Sequence, residues 1–245
     1  MVSDLSYAQV KSDRLSGISN TRVIPNKGMQ VELGQMMNCD VDYASPLLRK
    51  SSHIALRKGL SNVHEVRFGY NYDWSESDFE ENYEWFSLGV KLEVANYKKL
   101  HISAIATWGF DLRTLFYENG PLYYLQLSAP WEYQFDDNFS LRSEVRFNHL
   151  YEQSDINFGI ARKFGESLTL ECGLVNNLFL AKRGDNGGRP YWRELSYANA
   201  ALQANLGDVG AIDLGIMAPV FTGADQPNHS NGFFITGGLS IHIPH

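Results

Sequence analysis

Between residues 139 and 148, Phe139, Leu141, Ser143, Val145 and Phe147 alternate with Ser140, Arg142, Glu144, Arg146 and Asn148. A period of two is that of a β-strand, whose successive side chains point to opposite faces. One face here is oily and the other carries Arg142, Glu144 and Arg146. A fold that accepts this segment must give the oily face an apolar surrounding and the charges a wet or paired one. A barrel with an apolar outside and a polar inside does both.

The pattern recurs along the chain. Strands are expected over 28–38, 52–58, 64–74, 83–94, 100–110, 123–135, 139–149, 154–164, 168–177, 192–206, 211–221 and 232–243, twelve in all. Their connections alternate in length. The segments 59–63, 95–99, 136–138, 165–167 and 207–210 are tight and rich in Gly, Asn and Asp, as hairpin turns require. Those at 111–122, 178–191 and 222–231 are long, with 150–153 the exception. Tight turns at one rim and long loops at the other are the rhythm of a membrane meander, and an even strand number brings both termini to the tight-turn rim. Strands of this length match a tilted crossing of a bilayer, whereas strands of soluble sandwiches are about half as long. The fold class expected is all-β: a single up-and-down antiparallel transmembrane barrel spanning 28–245, preceded by a polar segment 1–27.

Composition narrows the function classes. The chain has 245 residues, 44% hydrophobic and 20% charged, enough for one large β domain. No stretch approaches the roughly 18 consecutive apolar residues of a transmembrane helix, but a barrel shows its oily residues only at alternate positions. A net charge of −7 with dispersed Lys and Arg argues against nucleic acid as a partner. Cys39 and Cys172 fall on the first and ninth strands, too far apart to bridge and without neighbouring Cys or His at metal-ligand spacing. No metal site and no cofactor are expected. Exported barrels carry a signal peptide; Met1 to Gln9, ending Ser-Tyr-Ala-Gln, reads either as the remnant of a cleavage region or as a flexible leader.

The period assigns faces. Outward go Val31 and Leu33, then at alternate positions Val66 through Trp74, Phe86 through Val94, Leu100 through Trp108 and Ile156 through Ile160, and finally Phe233, Ile235, Leu239, Ile241 and Ile243. Aromatics gather at strand ends, with Trp74, Trp108, Phe110, Tyr123, Phe147, Trp192 and Phe221 toward the long-loop rim and Tyr133, Phe135, Phe139 and Phe164 toward the tight-turn rim. Two such girdles are what the headgroup layers of a bilayer select. Inward go Glu32, Arg57, Glu65, Arg67, Asp73, Lys91, Glu93, Glu132, Arg142, Glu144, Arg146, Asp155, Lys163, Glu171, Arg193 and Asp213. Balanced charges on one face pair across strands. A soluble barrel would invert the faces around a ligand, but this many long strands would enclose a cavity far larger than one small ligand needs.

Two segments carry a family resemblance. Asn20 to Gly34 (NTRVIPNKGMQVELG) and Ala55 to Gly69 (ALRKGLSNVHEVRFG) resemble the opening of the outer-membrane β-barrel transporter family labelled for the MetA pathway of phenol degradation. The shared features are a Gly followed by an alternating strand with a Glu, then a Leu-Arg-x-Gly-Leu-Ser turn and a Glu-Val-x-Phe-Gly strand. Val23-Ile24-Pro25 departs from the family's Arg-Pro, and Ile243-Pro244-His245 from a terminal aromatic. The resemblance implies a passive outer-membrane barrel for small, often aromatic, solutes, without catalytic residues.

The expected function is therefore a bacterial, Gram-negative outer-membrane channel with both termini periplasmic, contacting outer-membrane lipid and a small solute. Lumen candidates for selectivity are Arg142, Glu144, Arg146, Glu65, Arg67, Asp73, Lys91, Glu93, Glu132, Asp155 and Glu171; the competing reading is a closed ion-pair network that only holds the wall. Residues 10–27 either tuck into the lumen or trail as a leader. Phe116 and Tyr117, in an unusually apolar loop, are candidates to fold inward and gate, with a partner-facing patch as the rival reading. One alternative is a non-conducting structural barrel serving as partner subunit of an envelope complex. A remoter one is a lipid-acting hydrolase, in which a four-residue hairpin at 150–153 sets His149 opposite Ser154 near the outer rim.

Overall fold

The computed structural model describes residues 19–39, 49–75, 83–112, 123–149, 153–181, 191–222 and 233–243. Twelve strands follow one another: β1 Met29–Cys39, β2 Arg49–Gly59, β3 His64–Ser75, β4 Tyr83–Tyr97, β5 Leu100–Asp111, β6 Tyr123–Gln134, β7 Phe139–Asn148, β8 Gln153–Phe164, β9 Leu168–Ala181, β10 Tyr191–Asn205, β11 Gly210–Thr222 and β12 Phe233–Ile243. Each pairs antiparallel with its chain neighbours, and β1 closes on β12 from Met29 opposite Ile243 to Cys39 opposite Phe233. Closure leaves no open edge, the condition for strands to sit in hydrocarbon. Both the start of β1 and the end of β12 lie at the tight-turn rim.

Expected and observed strands coincide to within a few residues, with two instructive differences. β4 runs to Tyr97 because a register shift between Glu93 and Ala95 restores pairing with β5, so the turn shrinks to Lys98 and Lys99, with Lys98 at φ 47°. β9 extends to Ala181 and shortens the loop that follows.

Burial is inverted relative to a water-soluble domain. Val90, Leu214 and Val220 on the outer face are 56%, 61% and 61% exposed, while Arg57, Glu144 and Asn157 on the inner face are fully buried. Charged residues are seldom fully buried unless paired. An oily surface this continuous around a whole barrel is stable only against an apolar medium. Among the described residues no helix is long and apolar enough to cross a membrane; a closed barrel is the fold that would cross with strands instead.

Candidate functional site: the barrel lumen

The lumen divides into two storeys. In the lower one, near the tight-turn rim, inward charges from adjacent strands form closed networks. Arg57 on β2 donates from Nε to Glu65 Oε1 on β3 at 2.7 Å and from Nη1 to Glu32 Oε1 on β1 at 3.0 Å. Arg142 on β7 pairs with Glu132 on β6 at 3.3 Å and reaches past β8 to Glu171 on β9 at 2.6 Å. Each guanidinium thus faces carboxylates on both sides, the arrangement that offsets the desolvation of buried charge.

Residues 19–27, which precede β1, cross this storey from the β7 side to the β1–β3 side. At the β7 end the Ser19 backbone N–H and hydroxyl donate to Glu144 at 2.7 and 3.0 Å. Midway, the Thr21 hydroxyl donates to Glu132 at 3.3 Å, and Ser103 on β5 donates to the Thr21 carbonyl. Lys91 Nζ on β4 donates to the carbonyls of Asn20 and Arg22 at 2.5 and 2.6 Å. At the far end the Ile24 N–H donates to Glu65 Oε2 at 2.8 Å, and the Lys27 N–H to the Gly59 carbonyl at 3.2 Å. Asn20, Thr21, Val23 and Ile24 are buried. A Cβ at Gly59 would overlap the carbonyl oxygens of Ile24 and Pro25, so glycine at the end of β2 is what lets the crossing segment lie this close. Lys27 then turns the chain into β1 at φ 68°.

Above this floor is a cavity of about 460 Å³. Ser19, Arg67, Asn71, Thr107, Tyr124, Gln126, Arg146 and Asp213 are among its lining residues. Arg67 Nε pairs with Glu65 at 3.2 Å, and Arg146 with Glu144 at 3.0 Å and with Asp155 at 3.7 Å. Tyr124 lies over Gly109, where a side chain would collide with its ring, and packs edge-on against Trp85 at 5.4 Å.

The inward candidates read from the sequence therefore separate by height. Glu65, Lys91, Glu132, Arg142, Glu144 and Glu171 build the floor and hold the crossing segment. Arg67 and Arg146 rise into the cavity, Asp155 supports Arg146, and Glu93 is half-buried at the bulge of β4. The Asp73 side chain and the loop residues Phe116 and Tyr117 lie outside the described residues, as do the Trp74 and Trp192 side chains. Trp108, Tyr123 and Phe147 point outward at the long-loop end. At the tight-turn end Tyr133, Phe135 and Phe139 stack at 5.1 and 5.3 Å, and Phe164 is exposed nearby. Phe110 packs between Phe86 and Trp108 at 5.4 and 5.5 Å.

One expected pairing is not formed. The β7–β8 register sets Phe147 opposite Ser154 and Asn148 opposite Gln153, and the His149 N–H donates to the Leu125 carbonyl. Alignment of Val145 with Ile156 on the outer face fixes this register, so His149 passes beyond Ser154 and no base and nucleophile face each other there. Cys172 is a free thiol on β9.

No protein-family model and no curated relative matches the chain. Its fold is that of porin-like outer-membrane β-barrels. The KdgM porin in complex with disordered oligogalacturonate superposes with a TM-score of 0.62 at 7% identity, over 88% of this chain and 99% of that one. The NanC porin gives 0.59 at 8% identity, over 86% and 98%. The COG4313 outer membrane channel from Pseudomonas putida F1 gives 0.58 at 10% identity, over 91% and 98%. At these identities the likeness is one of fold.

Proposed function

We propose that this chain is a passive outer-membrane channel for small solutes, with the tight-turn rim and both termini facing the periplasm. The observation that carries this reading is the combination of an oily outer wall with a polar lumen whose upper storey is hollow. A purely structural barrel has no need of such a cavity. Selectivity falls to the charges along the path: Arg67 and Arg146 in the cavity, then Glu144, Glu132, Arg142, Lys91 and Glu65 at the floor. Residues 19–27 make the floor the constriction. The outward aromatics at the two rims serve as interfacial anchors in lipid. The resemblance of 20–34 and 55–69 to the phenol-degradation transporters favours a small, often aromatic, solute.

The filled lower storey favours a second reading, a non-conducting barrel that acts as an envelope partner subunit. Planar-bilayer recording of the full chain beside a variant lacking residues 1–27 separates the two. Larger or more frequent open steps in the shortened variant support a channel with its constriction at the floor; silence in both favours the structural barrel.

A further inference from the structure

The two arginines of the cavity differ from the other lumen charges in what they show to solvent. The side chains of Arg67 and Arg146 are 19% and 24% exposed, whereas those of their partners Glu65 and Glu144 are fully buried and that of Asp155 is 10% exposed. The other acids bordering the cavity, Glu32 and Asp213, are also buried. The five acids named here outnumber the two guanidiniums, but they lie behind them, and the charge open to the cavity is that of Arg67 and Arg146. Arg67 and Arg146 border the same cavity. Two like charges at the base of a cup are relieved by an anion between them.

We propose that the cavity is a binding site for a small organic carboxylate, its anionic head set between Arg67 and Arg146. Planar guanidiniums match a carboxylate through paired N–H donors, and the fixed acids behind hold the donors in place. A cavity of about 460 Å³ suits a compact molecule and not a polymer folded within it. Tyr124, Met36 and Met217 border the same space and offer apolar contact to a carbon body. Gln126 and Asn71 add polar groups alongside. This site rests on the channel reading only in that the cavity lies on the solute path; binding itself needs no conduction.

The test is calorimetric titration of the full chain, folded in detergent micelles, with benzoate, with benzamide as its neutral isostere and with benzylamine as a cation. Benzoate is expected to bind about tenfold or more tightly than benzamide, since one charge-assisted pair is worth at least that ratio. Arg67→Gln and Arg146→Gln should each remove most of the preference, with folding checked by the heat-induced shift of the barrel on a denaturing gel. Equal binding of benzoate and benzamide by the unaltered chain overturns the site without recourse to variants, and so does a preference for benzylamine. Carboxylate-selective binding with no conductance after removal of residues 1–27 upholds the site and overturns the channel. Conductance without carboxylate preference does the reverse.

Discussion

Ser103 and Thr107 sit four residues apart on the inner face of β5, with similar hydroxyl side chains and opposite surroundings. Ser103 is fully buried and donates to the Thr21 carbonyl of the crossing segment, whereas Thr107 borders the cavity. The lumen is therefore not uniformly polar. Below, Arg57, Arg142, Lys91 and their carboxylates are committed to one another or to residues 19–27; above, the same kind of wall borders a cavity. Packing and open space are assigned to different storeys of one barrel.

The largest expected contrast comes from arginine substitutions. Arg57→Met leaves Glu65 and Glu32 buried without their shared cation and should cost about 3–5 kcal/mol in urea unfolding of the barrel. Arg67→Gln should cost less in the same assay, about 1.5 kcal/mol, because Glu65 keeps its pair with Arg57. Equal losses would erase the distinction. Lys91→Met comes next, because two carbonyls of the crossing segment lose one ammonium; about 1–3 kcal/mol is expected, together with faster proteolysis near residues 19–24. Gly59→Val probes the same segment without altering charge. Crowding Ile24 and Pro25 should cost about 1–3 kcal/mol and raise conductance, and an unchanged current trace would place the constriction elsewhere. The finest comparison is the matched pair itself: Ser103→Ala should cost about 1 kcal/mol, while Thr107→Val should stay within about 0.5 kcal/mol of the parent.

The fold was legible because a bilayer barrel writes itself at every second residue. Val90 and Lys91, or Val145 and Arg146, are neighbours that need opposite media, and only the strand period separates them. Hence the strand count, the two rims and the inward charges could be read without coordinates. The crossing of residues 19–27 was open between two readings for an equally physical reason. It is held largely through backbone groups, the N–H of Ser19 and Ile24 and the carbonyls of Asn20, Thr21 and Arg22, which every sequence possesses. Gly59 was the one local sign, since a glycine ending β2 leaves room for another backbone, yet it reads equally well as a turn residue. The His149–Ser154 alignment failed because hairpin register depends on which outer residues pack, and a slip of two residues keeps every face unchanged.

The division of the lumen is tested most directly by thiol accessibility in a background of Cys39→Ser and Cys172→Ala. Ser103→Cys and Thr107→Cys are each exposed, in folded barrels, to a charged thiol reagent too polar to enter lipid. Thr107→Cys should react readily and Ser103→Cys should be protected, with protection lost once residues 1–27 are removed. Equal reactivity of the two positions in the full chain, or protection of Ser103→Cys that survives removal of that segment, would contradict the account.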